Sequence, residues 1–286
     1  GAGIRLGERS HDAAASDAAP DLMPLRVYMD ETGATLENDL LALRLDGDTG
    51  NIVSCIDKRS GIELVGSGGW NVGEVIDDHS DTWSHGVQRY GAALGTFGGA
   101  RIRLGDSGPL QVSLLLERSY GSATWEQQII LRKGESAVTI HNWLAWLEPW
   151  RLVKLACDVN TAAPVATHDV PFGALERPCD GHEFPTHMWL DVSGPAAAPQ
   201  PAQTAGLALL NDGKNACDVT GSSLRLTILR CVPYAYHQPH PFGARQHYDW
   251  VDRGSQEFTV VLCPHVGDWR ESDIVQRARR LNMPPL

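Results

Sequence analysis

From residue 25 onward the chain keeps to the two-residue hydrophobic period of β-strands and almost never to the 3.6-residue period of a helix. Residues 25–29 (LRVYM) alternate, and residues 39–45 do so in part. Residues 46–51 (DGDTGN) then predict a hairpin turn, since Asp and Asn tolerate a left-handed φ and Gly favours it, and residues 51–56 pair back. Strands follow at 101–104, 111–120, 124–132 and 137–147, separated by the turn signals GDSG, GS and KGES. Residues 151–160, 207–210, 222–232 and 257–263 read as further strands, with Asn211-Asp212-Gly213 as a turn. Two stretches lack a period. Residues 66–99 are Gly-rich and aromatic, and residues 168–187 are broken by Pro171, Gly173, Pro178, Gly181 and Pro185. Both read as long loops, which inside a compact domain usually carry function. Only residues 271–281 look helical, through Ile274, Val275, Ala278 and Leu281.

This pattern predicts an all-β fold: a large antiparallel β-sandwich with at most one short C-terminal helix. Residues 1–24 are polar and Ala-rich and read as a linker or flexible arm. Residues 25–286 form the β domain, with a candidate sub-boundary at the Pro/Ala run near 195–206. Trp143 and Ala145 fall on one face of their strand and Leu144 and Trp146 on the other, so part of this Trp-rich segment is core. Trp150, after Pro149, stands at a turn where it can cover a sheet end.

Composition narrows the function classes. The 286 residues are 42% hydrophobic and 21% charged, enough to bury a sizeable core. A formal net charge of -11 lacks the basic footprint that nucleic acid demands and suits no anionic membrane surface. No apolar run reaches the length of a membrane-spanning helix. The 6 cysteines form no C-x-x-C pair and read as free thiols acting as small hydrophobes. The compartment stays open, with the cytoplasm favoured.

Candidate chemistry lies in the aperiodic stretches. Residues 75–90 (VIDDHSDTWSHGVQRY) gather Asp77, Asp78, His79, Asp81 and His85, the side-chain types of a metal site or an acid/base pair. They equally suit a polar loop whose Asp side chains bond their own turns, and no metal is assigned. Glu183 lies between His182 and His187, as a general base beside general acids or as a solvated surface carboxylate. Residues 234–248 carry three His and three Tyr, suited to lining a sugar groove or to a Pro-stiffened loop; the spacing of His237, His240 and His247 is too irregular for a metal. There is no Gly-x-Ser-x-Gly, no phosphate-cradling Gly loop and no HExxH, and no catalytic residue is assigned to this chain.

Four sets of residues, in order, resemble the C-terminal β region of α-mannosidases of glycoside hydrolase family 38. The first is Leu36-Glu37-Asn38-Asp39 leading into Gly50-Asn51-Ile52-Val53-Ser54-Cys55-Ile56-Asp57-Lys58. The second is Asp81-Thr82-Trp83. The third spans residues 170–230, from Val-Pro-Phe-Gly through Glu-x-Pro-x-x-x-Trp and Gly-Leu-Ala-Leu-Leu-Asn-Asp-Gly-Lys to Leu-x-Leu-Thr-Ile-Leu-Arg. The fourth is Asp252-Arg253-Gly254-Ser255-Gln256-Glu257-Phe258 before Cys263-Pro264-His265-Val266-Gly267-Asp268-Trp269.

The resemblance implies a galactose-mutarotase-like supersandwich. It implies that the whole enzyme hydrolyses α-mannosides with retention, using an Asp nucleophile, a second carboxylic acid and zinc, all in an N-terminal domain that this sequence lacks. The chain would then be non-catalytic alone. Its partners would be that catalytic domain, an α-mannoside or other carbohydrate, and a further copy of itself if its docking face is apolar. The loop of Asp81 and Trp83 would fold toward the sugar, with Trp83 stacking on a pyranose face. Arg253 would be the counterpart of an Arg that reaches the sugar site, although the family's Asp-Asn-Arg-Gly reads Asp252-Arg253-Gly254 here; a structural salt bridge to Asp252 or Asp249 suits it equally, and Arg230 ends a strand nearby. Two alternatives use the same fold: a stand-alone carbohydrate-binding module, and a mutarotase- or epimerase-like enzyme using Glu183 with a His.

Overall fold

The computed structural model describes residues 25–84, 86–197, 203–235, 242–243 and 246–283. The arm expected at 1–24, His85, residues 198–202 of the candidate sub-boundary, and Tyr236, His237 and His240 lie outside them. An N-terminal meander of β1 (Arg26–Asp30), β2 (Gly33–Glu37), β3 (Leu41–Asp46), β4 (Ile52–Asp57) and β5 (Ile62–Glu63) makes a five-stranded sheet. The strands that follow are β6 (Val72–Asp77), β7 (Ala93–Thr96), β8 (Gly98–Ser107), β9 (Gln111–Tyr120), β10 (Ala123–Arg132), β11 (Val138–Trp146), β12 (Arg151–Asp158), β13 (Val165–Val170), β14 (Gly173–Arg177), β15 (Phe184–Pro185), β16 (Trp189–Pro195), β17 (Thr204–Asn211), β18 (Ala216–Thr220), β19 (Ser223–Cys231) and β20 (Gly254–Val266). They form a nine-stranded sheet, β14-β13-β16-β17-β20-β11-β10-β9-β8, and a six-stranded sheet, β15-β18-β19-β12-β6-β7. Every pairing between these strands is antiparallel.

The predicted all-β sandwich is therefore what the chain forms. The inward set of each alternating strand builds one core shared by all three sheets: Leu114 and Leu116 of β9, Trp125 and Ile129 of β10, Leu144 and Trp146 of β11, Leu155 of β12 and Leu226 of β19. Trp125 crosses from the nine-stranded to the six-stranded sheet. A Cβ on Gly73 would come within 2.7 Å of the Trp125 ring and 2.9 Å of Phe97, so β6 carries glycine where the indole lands. Phe97 meets Trp125 edge-on, with centroids 5.1 Å apart. At the β3–β4 turn Gly50 has φ 70°, and its Cβ would sit 2.5 Å from Leu116, so both backbone and space exclude a side chain. Asn38 fixes the five-stranded sheet to the β10–β11 turn by donating to the carbonyls of Arg132 (2.6 Å) and Glu135 (2.8 Å).

The helix is α1 (Ile274–Asn282), as short and as C-terminal as predicted. Ile274 and Ala278 pack on Trp189, Ala208, Leu210 and Cys263, covering part of the outer face of the nine-stranded sheet. No helix among the described residues is long and apolar enough to cross a membrane. All six cysteines are free thiols.

The two stretches that read as loops are corrected. Residues 66–99 contain β6, β7 and the start of β8, and residues 168–187 contain the second half of β13, then β14 and β15. β6 (VGEVID) is buried on both faces and so shows no alternation. Pro171 and Gly173 flank the tip of the β13–β14 hairpin, where Phe172 takes φ 70°, and Pro185 lies in the edge strand β15, where its missing N–H costs nothing.

One buried pair makes stability depend on pH. His265 of β20 has Nε2 2.8 Å from Asp191 Oδ1 and Nδ1 3.1 Å from the Gly267 carbonyl oxygen. Both partners only accept, so the bound imidazole is doubly protonated. Burial pulls its pKa down, but the Asp191 hydrogen bond and charge outweigh burial, and the pKa is raised. A raised folded pKa stabilises fully below the unfolded value near 6.5 and is lost as pH rises through the folded value. The gap in urea midpoint between the native chain and His265→Gln is therefore expected to be larger at pH 6 than at pH 9; an equal gap at both would contradict the charged pair.

The loop end of the sandwich as candidate functional site

Four segments distant in sequence meet at one end of the sandwich. In the register of the six-stranded sheet Arg151 pairs with both Asp77 and Cys231, so the segments that follow β6 and β19 and precede β12 leave the sheet together. They are stitched by backbone bonds: Asp78 N–H to the Trp150 carbonyl (3.1 Å), Trp150 N–H to that of Cys231 (2.7 Å), Thr82 N–H to that of Pro233 (3.3 Å) and Tyr234 N–H to that of Asp249 (2.7 Å). Ser84 (φ 50°), Trp150 (φ 61°), Ala235 (φ 47°) and Asp252 (φ 52°) all adopt the left-handed conformation here, four of the six non-glycine cases among the described residues. Each costs free energy, and such strain gathers where a fold holds loops for a purpose.

Arg230 is the clamp. Its Nε donates to Asp78 Oδ2 (2.8 Å), and its Nη2 to Ser80 Oγ (2.7 Å) and the Asp81 carbonyl oxygen (3.2 Å). Asp78 is almost fully buried, so this pair is shielded from water. Asp252 Oδ2 accepts from the Arg230 backbone N–H (3.0 Å) and ties the 246–253 segment to the same residue. Asp81 Oδ1 accepts from Trp83 N–H (2.9 Å); its Oδ2 is buried without a hydrogen-bond partner among the described residues. The indole of Trp83 is presented outward, 63% exposed. Arg253 is exposed and makes no hydrogen bond or ion pair among the described residues.

Beside this clamp stands an aromatic wall. Trp150 meets Phe242 (4.7 Å), Trp250 (5.0 Å) and Tyr248 (6.0 Å) edge-on, and His79 tilts against it at 5.7 Å. Asp77 pairs with both His79 (2.6 Å) and Arg151 (2.5 Å). Trp150 thus covers the sheet end, as its position after Pro149 predicts.

Glu183 is elsewhere and already engaged. Its Oε2 accepts from Lys154 Nζ (2.5 Å) and its Oε1 from the Thr227 hydroxyl. Lys154 also donates to Asp218 (2.6 Å), which pairs with Arg225 (2.8 Å), which reaches Glu74 (3.4 Å). His182 pairs with Asp180 (2.9 Å) and His187 with Asp169 (3.2 Å). Neither imidazole bonds to Glu183. The structure joins the two regions through Tyr90, whose ring centroid lies 5.6 Å from the Arg230 guanidinium carbon and 5.5 Å from Lys154 Nζ. Burial raises the Tyr90 pKa against the opposing pull of Arg230. Asp81, Trp83, Arg230, Asp252 and Arg253 are therefore gathered at the loop end, and Glu183 lies behind it. Lys154 escaped the sequence reading, and Asp78 stood there only as one carboxylate of the 75–90 loop, not as the partner of Arg230. A lone Lys inside the apolar run LVKLAC was the available signal, because a buried ammonium needs paired carboxylates.

The architecture places the chain in a class, a three-sheet antiparallel β-sandwich with one loop-rich end. The model of the "Glycosyl hydrolases family 38 C-terminal domain" matches residues 36–238, and the chain belongs to that family. It is 29% identical over 287 residues to alpha-mannosidase 2C1 of Mus musculus and of Homo sapiens, covering 92% of this chain and 25% of each relative. It is 24% identical over 266 residues to alpha-mannosidase G of Dictyostelium discoideum, covering 86% of this chain and 22% of that one. The chain thus spans about a quarter of the length of these relatives. An alpha-mannosidase structure from Enterococcus faecalis V583 shares the fold, with a TM-score of 0.69 at 12% identity, over 90% of this chain and 32% of that one.

Proposed function

We propose that this chain is the non-catalytic C-terminal part of an α-mannosidase, bracing a catalytic domain and lending it the loop end as one wall of the sugar site. Hydrolysis with retention and the zinc belong, in this reading, to the catalytic domain. The observation that carries the proposal is an exposed Trp83 on a loop fixed from beneath by Arg230, Asp81 and Asp252. An indole carried on a fixed loop offers an apolar face to the C–H side of a pyranose. Arg253 is the second contact, its planar fork suited to two vicinal hydroxyls. Arg230, Asp81 and Asp252 position these groups, and Glu183, whose N–H donates to the Gln88 carbonyl, braces the segment that follows Trp83. Exposed Tyr234 and half-exposed Phe242 add apolar surface at the same end, which favours docking against another domain or a second copy.

The test has two arms. The 286-residue chain alone, with zinc added and then chelated, is expected not to hydrolyse an aryl α-mannoside. In the full-length enzyme Trp83→Ala is expected to lower kcat/KM by roughly tenfold, the equivalent of about 1.4 kcal/mol, with folding intact. Turnover by the isolated chain would overturn the assignment. Unchanged kcat/KM in Trp83→Ala would remove the loop from the sugar site, and mannoside binding by the chain alone would favour a binding module.

A further inference from the structure

Arg118 is a buried cation with no carboxylate against it among the described residues. It lies on the inner face of β9 and is 1% exposed. Lys154 has Glu183 and Asp218, Arg225 has Asp218 and Glu74, and Arg230 has Asp78. Arg118 bonds no carboxylate among the described residues. Nη1 donates to Asn51 Oδ1 (3.0 Å), and its guanidinium carbon lies 4.9 Å from the Trp125 ring centroid. Nε and Nη2 are buried without a hydrogen-bond partner among the described residues.

Those two nitrogens are one edge of the planar guanidinium. Their N–H bonds run side by side, the arrangement with which arginine grips an anion through two parallel hydrogen bonds. The nearby amides do not turn to help. Gln127 exchanges hydrogen bonds with Asn71 and donates to Asn142 Oδ1, which also accepts from Trp125 Nε1, while Asn142 Nδ2 donates to backbone carbonyls. That layer is closed on itself. Burial lowers the Arg118 pKa to about 9, so the group stays cationic at neutral pH. A buried, unpaired charge is costly unless something of opposite charge sits against it.

We propose that the Nε–Nη2 edge of Arg118 holds a small monovalent anion, a halide or a small oxyanion such as nitrate, beside Asn51 where the five-stranded sheet meets the nine-stranded one. A single guanidinium balances one negative charge, and a dianion such as sulfate would bury a second one unpaired. The anion would complete the joint between the two sheets and stabilise the fold by mass action, since the site exists only in the folded chain.

The experiment uses the 286-residue chain at constant sodium concentration, with gluconate replaced stepwise by chloride, bromide or nitrate. The thermal midpoint is expected to rise with the small anion, by about 5–10 °C at a hundredfold excess over its dissociation constant. The rise should vanish in Arg118→Met. Crystals grown in bromide should show an anomalous peak beside Nε and Nη2 of Arg118, a readout independent of whether the variant folds. Stabilisation by nitrate but not by halide would assign an oxyanion. Equal midpoints in gluconate and every small anion, an equal rise in Arg118→Met, or, where halide does stabilise, bromide crystals with no peak at Arg118 would each overturn the proposal.

Discussion

Replacing Lys154 with methionine is expected to lower the unfolding free energy by about 3–5 kcal/mol, read from the urea midpoint and slope. The ammonium is fully buried, and both its partners are side chains of low exposure, Glu183 at 16% and Asp218 at 1%. Removing the cation leaves two carboxylates in a place from which water is largely excluded, and desolvation rather than lost attraction dominates the cost. A triple change that also makes Glu183→Gln and Asp218→Asn should therefore be less damaging than Lys154→Met alone. Equal damage would mean that the network acts through packing. The loss should also reach the loop end, because Tyr90 packs beside both Lys154 and Arg230 and Glu183 N–H donates to the Gln88 carbonyl (2.9 Å).

Trp125→Ala is expected to cost about 3–5 kcal/mol for a different reason. The indole fills the gap between the two large sheets, against Gly73, Phe97 and Phe258, and its N–H is used by Asn142. Strand β6 cannot collapse onto the cavity, because its backbone is held by β12 on one side and β7 on the other. The substitution should lower the thermal midpoint without changing strand content by circular dichroism. A loss below about 1 kcal/mol would show that the sheets can close over the missing ring.

Part of the fold was legible because strands such as β3, β9, β10 and β11 have one buried and one more open face. The alternation of residues 111–120, 124–132 and 138–146 is the direct imprint of a sheet packed on one side. β6 failed for the opposite reason: with both faces buried it has no alternation to read. The residues of the first motif that carried the family resemblance proved to be joints. Asn38 fastens two sheets, Gly50 seats Leu116, and Lys58 Nζ bonds Glu37 (2.6 Å) and the Asn38 carbonyl (2.8 Å). They identify the family well and describe the loop end poorly. That end was half legible. Asp81 and Trp83 stand two residues apart and were singled out through the family resemblance, whereas the grip of Arg230 on Asp78 spans 152 residues and follows only from the register that aligns β6, β12 and β19.

The position of β20 sets an order on synthesis. It is the last strand in the chain among the described residues, yet it sits in the middle of the nine-stranded sheet, paired with β17 on one edge and β11 on the other. Until residues 254–266 have left the ribosome, β14-β13-β16-β17 and β11-β10-β9-β8 exist as two half-sheets, each with an open edge of unpaired backbone groups. The domain therefore cannot complete itself from the front as it is made; one late, long-range insertion closes it. A premature stop shortly before β20 would remove less than an eighth of the chain and leave two sticky edges, a substrate for aggregation or proteolysis rather than a slightly shorter domain.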